Sequence, residues 1–231
     1  MTATFSTQTF EFLTELSLRN ERPWFQANKH RYEDHVREPA RAFIRQMAPL
    51  LEDLSPHLVA DDRKVGGSLM RIFRDTRFGK DKTPYKTNIG IQFRLGRDKD
   101  VHAPGLYVHV ASDDLFVGAG MWRPPSDALR AIRARIDTEP DAWSAVANDP
   151  GLSGGPSGMR LSEGDPLKRP PRGYDKDHPH VEDLKRRSFL AMGPLTADDV
   201  LADDFPERVT TRFRATLPLM RFLCDALDQP F

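Results

Sequence analysis

Hydrophobic spacing divides the chain into three zones. Over about residues 7–54, apolar positions recur at helical intervals. Phe10, Leu13 and Leu16 mark a first helix, and Pro23 suits the first turn of a second that carries Phe25, Asn28, Tyr32 and Val36 on one stripe. Pro39 removes a backbone donor and should kink or restart that helix, after which Phe43, Ile44, Met47, Leu50, Leu51 and Leu54 resume the stripe. Over about 68–122 the period falls to two, the pattern of strands. Residues 69–75, 88–95, 106–111 and 115–122 are the predicted strands, and Ser112-Asp113-Asp114 is short enough to join the last two as an antiparallel hairpin.

Alternation sorts these side chains by face. Met70, Ile72, Ile89, Ile91, Phe93, Leu106, Val108, Val110, Leu115 and Val117 make a face that must be core. The other face holds Arg71, Phe73, Asp75, Gly90, Gln92, Arg94, Tyr107, His109, Phe116, Gly118, Gly120 and Trp122. That set is too polar for a core and too aromatic for a plain solvent face. Gly118 and Gly120 leave room for another group to approach the backbone, so a cleft floor fits the pattern.

Helical spacing returns with Leu129, Ile132 and Ile136, then a short helix from Pro140 through Trp143. Residues 150–179 are rich in Gly and Pro, with Leu161 and Leu167 as their expected buried positions; a long segment of this kind inside a compact domain is usually functional or mobile. Val209, Phe213, Leu217, Met220, Leu223 and Leu227 close the chain as a helical stripe broken at Pro218. The expected fold is α+β over one domain, residues 1–231: a central, mainly antiparallel sheet from the middle third, flanked by N- and C-terminal helices.

Composition narrows the function classes. With 39% hydrophobic and 29% charged residues the chain reads as globular. It has no apolar run near the length of a membrane span and no N-terminal secretory pattern. The single Cys224 excludes an internal disulfide and a cysteine-based zinc cluster, which points to a reducing, cytoplasmic setting. The 34 basic and 34 acidic residues cancel, unlike the basic balance usual for a protein that coats DNA.

Against that neutrality, residues 64–97 stand out. Nine basic residues (Lys64, Arg71, Arg74, Arg77, Lys80, Lys82, Lys86, Arg94 and Arg97) face Asp75 and Asp81 alone, a formal excess of +7. Such an excess must face water, pair with acids, or meet an anion. Arginine forks and lysine point charges suit a phosphorylated or carboxylated ligand. The competing reading is that Arg71, Arg74 and Arg77 pair with Asp75, Asp81 and distant acids to hold a loop in place. The spacing is not that of a Walker phosphate cradle, and no dinucleotide glycine fingerprint occurs.

Histidine supplies the acid/base candidates. His109 is expected on the polar face, His102 just before its strand, and His178 in the run Asp175-Lys176-Asp177-His178-Pro179-His180. No metal-ligand spacing accompanies them, and no cofactor is implied. Lys168, Arg169 and Arg172 lie around Pro170 and Pro171, stiff enough to reach over the sheet as a lid or to brace it as an inert strap. Basic groups interleaved with Phe78, Tyr85, Tyr107 and Trp122 also allow nucleic-acid stacking. Cys224 falls on the apolar stripe of a helix, a core position.

The runs GGSLMRIFRDTRFGKDKTPYKTNIGIQFR, HAPGLYVHV, VGAGMWRP, LKRPPRGYDKDHP and LPLMRFLCDAL, with RPWFQANKHRYEDHVREPA near the start, resemble a bacterial family, domain of unknown function 2461. The resemblance runs from about residue 10 to 231 and implies no activity, cofactor or catalytic residue. The residues themselves point to an anion site. Arg71, Arg74, Arg77, Lys80, Lys82, Lys86, Arg94, Lys168, Arg169 and Arg172 would hold the anion. Gln92, Tyr107, Trp122 and His178 would line the pocket, and His109 would move a proton. The alternative is a non-catalytic module for nucleic acid or a protein partner.

Overall fold

The computed structural model describes residues 4–77, 80–96 and 103–231. The period-two stretches become β2 (Asn88–Leu95), β3 (Gly105–Ala111) and β4 (Leu115–Met121), three antiparallel neighbours at the centre of a six-stranded sheet. β1 (Leu58–Val59) pairs with the end of β2, and β6 (Phe189–Pro194) joins β4 to β5 (Arg160–Leu161). The strand order is β1-β2-β3-β4-β6-β5, and every pair is antiparallel. The α+β class read from the sequence is what the chain forms.

Register places Ile91, Val108 and Val117 in one cross-strand row and Phe93, Leu106, Ala119 and Ala191 in the next. All seven are buried, and Val108 and, in the adjoining row, Val110 have 0% exposure, so this face is the core. Fully burying each large aliphatic contributes about 1.5–3 kcal/mol. Helices cover it from both ends of the sequence: α1 (Thr7–Leu18), α2 (Arg22–Ala27), α3 (Lys29–Tyr32), a π turn (Glu33–Arg37) and α4 (Glu38–Glu52) come first. After β4 come α5 (Ser126–Thr138) and α6 (Pro140–Ala147), then α7 (Val181–Leu184) before β6. The C-terminal part supplies α8 (Ala197–Leu201), α9 (Phe205–Arg214) and α10 (Leu217–Ala226). Phe43 of α4 ties the layers together, 5.0 Å from Phe205 and 6.5 Å from Phe93 between ring centres.

Proline positions the helix breaks as expected, and one break has a visible cause. Pro39 has no N–H to give the His35 carbonyl, which accepts the Thr9 hydroxyl at 2.7 Å instead. The π turn ends at Arg37, two residues before that proline, and the substitute bond fastens α1 to the broken helix.

Three expectations change. Residues 69–75 are not a strand: they touch β2's line only at Leu69↔Ile91 and Phe73↔Tyr85. Three residues lie between those bridges on one side and five on the other, so no regular ladder can continue. The mismatch also reverses a face. Leu69 lies opposite core residue Ile91, whereas the Met70 sulfur lies 3.2 Å from where a Cβ on Gly90 would stand, on the side of Tyr107. Ile72 is core, as expected. Finally, the segment after 150 is better anchored than its composition implies: Leu152 and Met159 are buried, and β5, β6 and α7 follow. β6 escapes a periodicity reading because Phe189–Pro194 is a short run with Ala and Gly at its inward positions.

Candidate functional site: a basic-walled cleft and an open sheet face

A cleft forms where the α1–α2 elbow meets the arm between residues 73 and 85. Asn20 makes the joint. Its side-chain Nδ2 donates to the Tyr85 carbonyl at 2.9 Å, and its Oδ1 accepts the Tyr85 N–H at 3.1 Å, so an amide side chain pairs like a strand residue. Tyr85 is buried and stacks on Phe25 of α2 at 4.1 Å and 22°. Phe73, 5.5 Å from Tyr85, stays 54% exposed. The cleft so formed measures about 740 Å³ and is lined by the 20–23 elbow and Gln26 on one side, and by Phe73, Arg74, Thr76, Lys82, Pro84 and Tyr85 on the other.

The basic loop walls this cleft, but several of its charges are already engaged. Arg74 pairs with Asp81 at 2.5 Å and donates to the Thr83 hydroxyl; Arg77 pairs with Asp75 at 2.7 Å. Lys82 is held by the Thr76 carbonyl at 2.7 Å. The Thr83 backbone N–H, followed by Arg74, takes the Asp81 carboxyl down to about 2, and the Arg77 guanidinium holds Asp75 well below the usual carboxylate range. These pairs are local and exposed, so they shape the loop and contribute little to global stability. The pairing alternative weighed from sequence is thus present for Arg74 and Arg77, through the loop's own acids Asp81 and Asp75.

The remaining cations disperse. Lys80 is exposed. Arg71 is exposed and forms no ion pair among the described residues; Lys86 is half-buried, also without a carboxylate partner there. Burial, and then the Arg71 charge, lowers the Lys86 ammonium's pKa. Arg94 and Gln92 border a small pocket of about 20 Å³ with Asp61, Arg63 and Ser68. Arg22, an exposed cation of the elbow with no partner among the described residues, joins Arg74 and Lys82 at the cleft. Sequence reasoning missed Arg22 and Gln26, and no local signal marks them. Their link to the basic loop is tertiary.

The open face of the sheet carries a different group. Tyr107 and His109 of β3 point out beside Asn88 of β2 and Phe116 of β4. His109 stacks on Phe116 at 4.6 Å and 9°, and burial lowers its pKa despite the opposing charges of Asp114 and Asp113. His109 Nδ1 lies 3.1 Å from the Tyr107 hydroxyl and 3.4 Å from the Asn88 Nδ2, and its Nε2 lies 4.0 Å from Asp114. Burial pushes the Tyr107 phenol up to about 12, so it stays a donor; the Asn88 amide bonds to it in turn. Asn88, Tyr107 and His109 thus form one hydrogen-bonded group. The charges that reach it are carboxylates, and neither Tyr107 nor His109 lines the basic-walled cleft. The structure therefore does not join the basic loop and His109 in one site.

A family model described as a conserved hypothetical protein, DUF2461, matches residues 8–222, which include both the cleft and the open face. The chain belongs to this family. No curated protein and no solved structure matches it.

In this DUF2461 member the segment expected as a lid is fastened elsewhere. Asp165 pairs with Arg187 at 3.1 Å and Arg123 at 3.5 Å, the Leu167 N–H donates to the Lys185 carbonyl at 2.8 Å, and His178 lies 3.6 Å from Asp137 of α5. His109 is paired with Phe116 at the start of β4, whereas Arg123 follows its end, about 20 Å along an extended chain. Lys168, Arg169 and Arg172 are exposed on a strap fastened to Arg123, Arg187 and α5, at the other end of β4 from His109. Trp122, 59% exposed with the Arg123 guanidinium 5.5 Å from its ring centre, shares that far end.

His178 belongs to the same fastening. It accepts the His180 N–H at 3.0 Å, while His180 Nε2 faces the Ser144 hydroxyl at 2.8 Å and the Pro140 carbonyl at 3.1 Å. Asp183 collects His180 at 3.6 Å, the Trp143 indole at 2.8 Å and Arg186 at 2.6 Å. Ser144, His180 and Asp183 match a hydrolytic triad by type alone. The Pro140 carbonyl shares the Nε2 edge with the Ser144 hydroxyl, and Asp183 is already engaged by Trp143 and Arg186, so the three side chains brace the strap to α6. Among the described residues no cluster of His, Cys, Asp or Glu could hold a metal ion. Nor is any helix there long and apolar enough to cross a membrane. His102, Phe78 and Arg97 lie outside the described residues.

Proposed function

We propose that this protein binds a small phosphorylated or carboxylated ligand in the cleft between the α1–α2 elbow and the basic loop, in a reducing, cytoplasmic setting. One observation carries the reading: Arg22, Arg74 and Lys82 line a cleft of about 740 Å³ whose lining, among the described residues, contains a single acid, Glu21. Arg22 has no acidic partner to satisfy it among the described residues, and Lys82 is aimed by a carbonyl that leaves its charge uncompensated. An anion entering there gains charge-assisted bonds without breaking a buried pair. In this reading the anion is held apart from Tyr107, His109 and Phe116, none of which lines the cleft.

Calorimetric titration with pyrophosphate at low salt tests this. The expected result is binding that weakens at least ten-fold in Arg22→Gln/Lys82→Gln, with the ligand-free melting temperature unchanged because both side chains are exposed. Absence of binding, or binding indifferent to the double change, refutes the reading. The salt slope should be shallow, as for one small anion.

Acid/base chemistry is a second reading, favoured by His109, whose Nδ1 lies 3.1 Å from the Tyr107 hydroxyl on the polar face of the sheet and whose pKa is lowered by burial. It requires a ligand on the open face. A ligand that shifts the His109 ring resonances supports it; one that perturbs only residues 20–26 and 73–85 removes it.

A further inference from the structure

Resting on the anion reading, we infer that the ligand of the cleft carries a planar ring beside its negative group, and that a nucleoside monophosphate has the matching chemistry. An inorganic anion would occupy a small part of about 740 Å³ and leave Phe73 unexplained. That ring is 54% exposed in the cleft lining, one of few large apolar side chains so exposed among the described residues. Its orientation is not accidental. Phe73 is bridged to Tyr85 across the arm, Tyr85 is stacked on Phe25, and Asn20 clamps the Tyr85 backbone from the elbow. The exposed ring therefore sits on a fixed base, as a stacking platform must.

Three kinds of group then surround one space. Phe73 offers a ring face; Arg22, Arg74 and Lys82 offer cations; and Gln26, exposed at the elbow with no internal partner among the described residues, offers an amide that both donates and accepts. A nucleobase has a face for the first and an edge for the amide, and its 5′-phosphate meets the cations. A polynucleotide would need a row of platforms. Tyr85 is buried, Tyr107 is bonded to His109 on the open face, and Trp122 lies beyond the far end of β4, so among the described residues no such row leads away from Phe73.

The test compares four probes on the full chain by calorimetry at low salt: inorganic phosphate, adenosine, adenosine 5′-monophosphate, and a short single-stranded oligonucleotide. Adenosine 5′-monophosphate should bind about ten-fold more tightly than phosphate, the size of one base stacked on an aromatic ring. Phe73→Ala should remove that advantage and leave phosphate binding as it was. Phe73→Leu, which keeps bulk but not a flat face, should behave like Phe73→Ala, and melting curves confirm that both variants fold. Equal affinity for phosphate and the nucleotide, or an advantage that survives Phe73→Ala, overturns the ring inference while the anion reading stands. If no probe binds, both fall. An oligonucleotide that outcompetes the mononucleotide per site overturns the small-ligand assignment.

Discussion

Two glycines on the open face separate a position closed by the chain itself from one left free, and replacing each by alanine measures the difference. Gly118 and Gly120 are neighbours on the same side of β4, opposite Met192 and Leu190 of β6. At Gly120 the backbone has φ +119°, and a Cβ would overlap the Phe189 carbonyl. Forcing an L-residue into such a conformation costs about 1–3 kcal/mol. Displacing backbone by the added methyl costs about 1–3 kcal/mol more. Gly120→Ala should therefore lose about 4 kcal/mol, which for a chain of this size lowers the melting temperature by about 8–16 °C. At Gly118 the nearest atom to a Cβ is the Ala191 carbonyl oxygen at 3.8 Å, ordinary contact distance. Alanine there fits, restricts the unfolded chain and should stabilise by about 0.4–1 kcal/mol. Equilibrium urea unfolding of the two variants beside the parent protein reads both values. A Gly118→Ala loss comparable to that of Gly120→Ala would refute the open face, since some other group must then occupy the space above Gly118. A neutral Gly120→Ala would refute the β4–β6 register.

Three further outcomes follow from the fold. Asn20→Ala leaves the Tyr85 N–H and carbonyl without their partners and should cost about 1–3 kcal/mol in urea unfolding, with Asn20→Asp recovering part through its acceptor oxygen; a change below about 0.5 kcal/mol would mean that the elbow is not clamped there. Val108→Ala deletes about two buried methylene equivalents and leaves a cavity in the centre of the sheet, a loss of about 2–3 kcal/mol, and a near-neutral result would contradict its burial. His109 titrates below its ordinary value of 6.5 in the folded chain, so the unfolded chain binds that proton first. Stability should fall as the pH drops past 6.5 toward the lowered value, and His109→Asn should lose that part of the slope; a ring resonance titrating above 6.5 would reverse the sign.

Much of the polar chemistry was visible in the residue types but not in their grouping. The basic run was legible because its excess charge is contiguous, and the loop it forms does wall the cleft. Its division into engaged and available cations was not. Whether Arg74 meets Asp81 or a ligand depends on a turn whose closure involves Thr83, seven to nine positions away. The Lys168, Arg169 and Arg172 strap read as a lid because a Pro-rich basic segment reveals stiffness and charge but not direction. Its direction is set by Arg123, Arg187 and Asp137, which the chain delivers from three other elements.

Alternation along 88–95, 106–111 and 115–121 alone determined the inner and outer faces of the three central strands, because in a strand solvent lies on one side and each residue must choose. Proline likewise determined the helix starts at Pro23, Pro140 and Pro218, since a fixed φ and a missing N–H act within one turn. The tertiary structure decided where that local rule fails and what the faces meet. Residues 69–75 alternate like a strand, yet the unequal spacing of their two bridges to β2's line breaks the ladder and turns Met70 outward. Arg22 comes to the basic loop because Asn20 bonds Tyr85 across 65 positions of sequence. A periodicity records the solvent gradient across one element; it holds no information about a hydrogen bond whose two halves are brought together only when the helices and the sheet have packed.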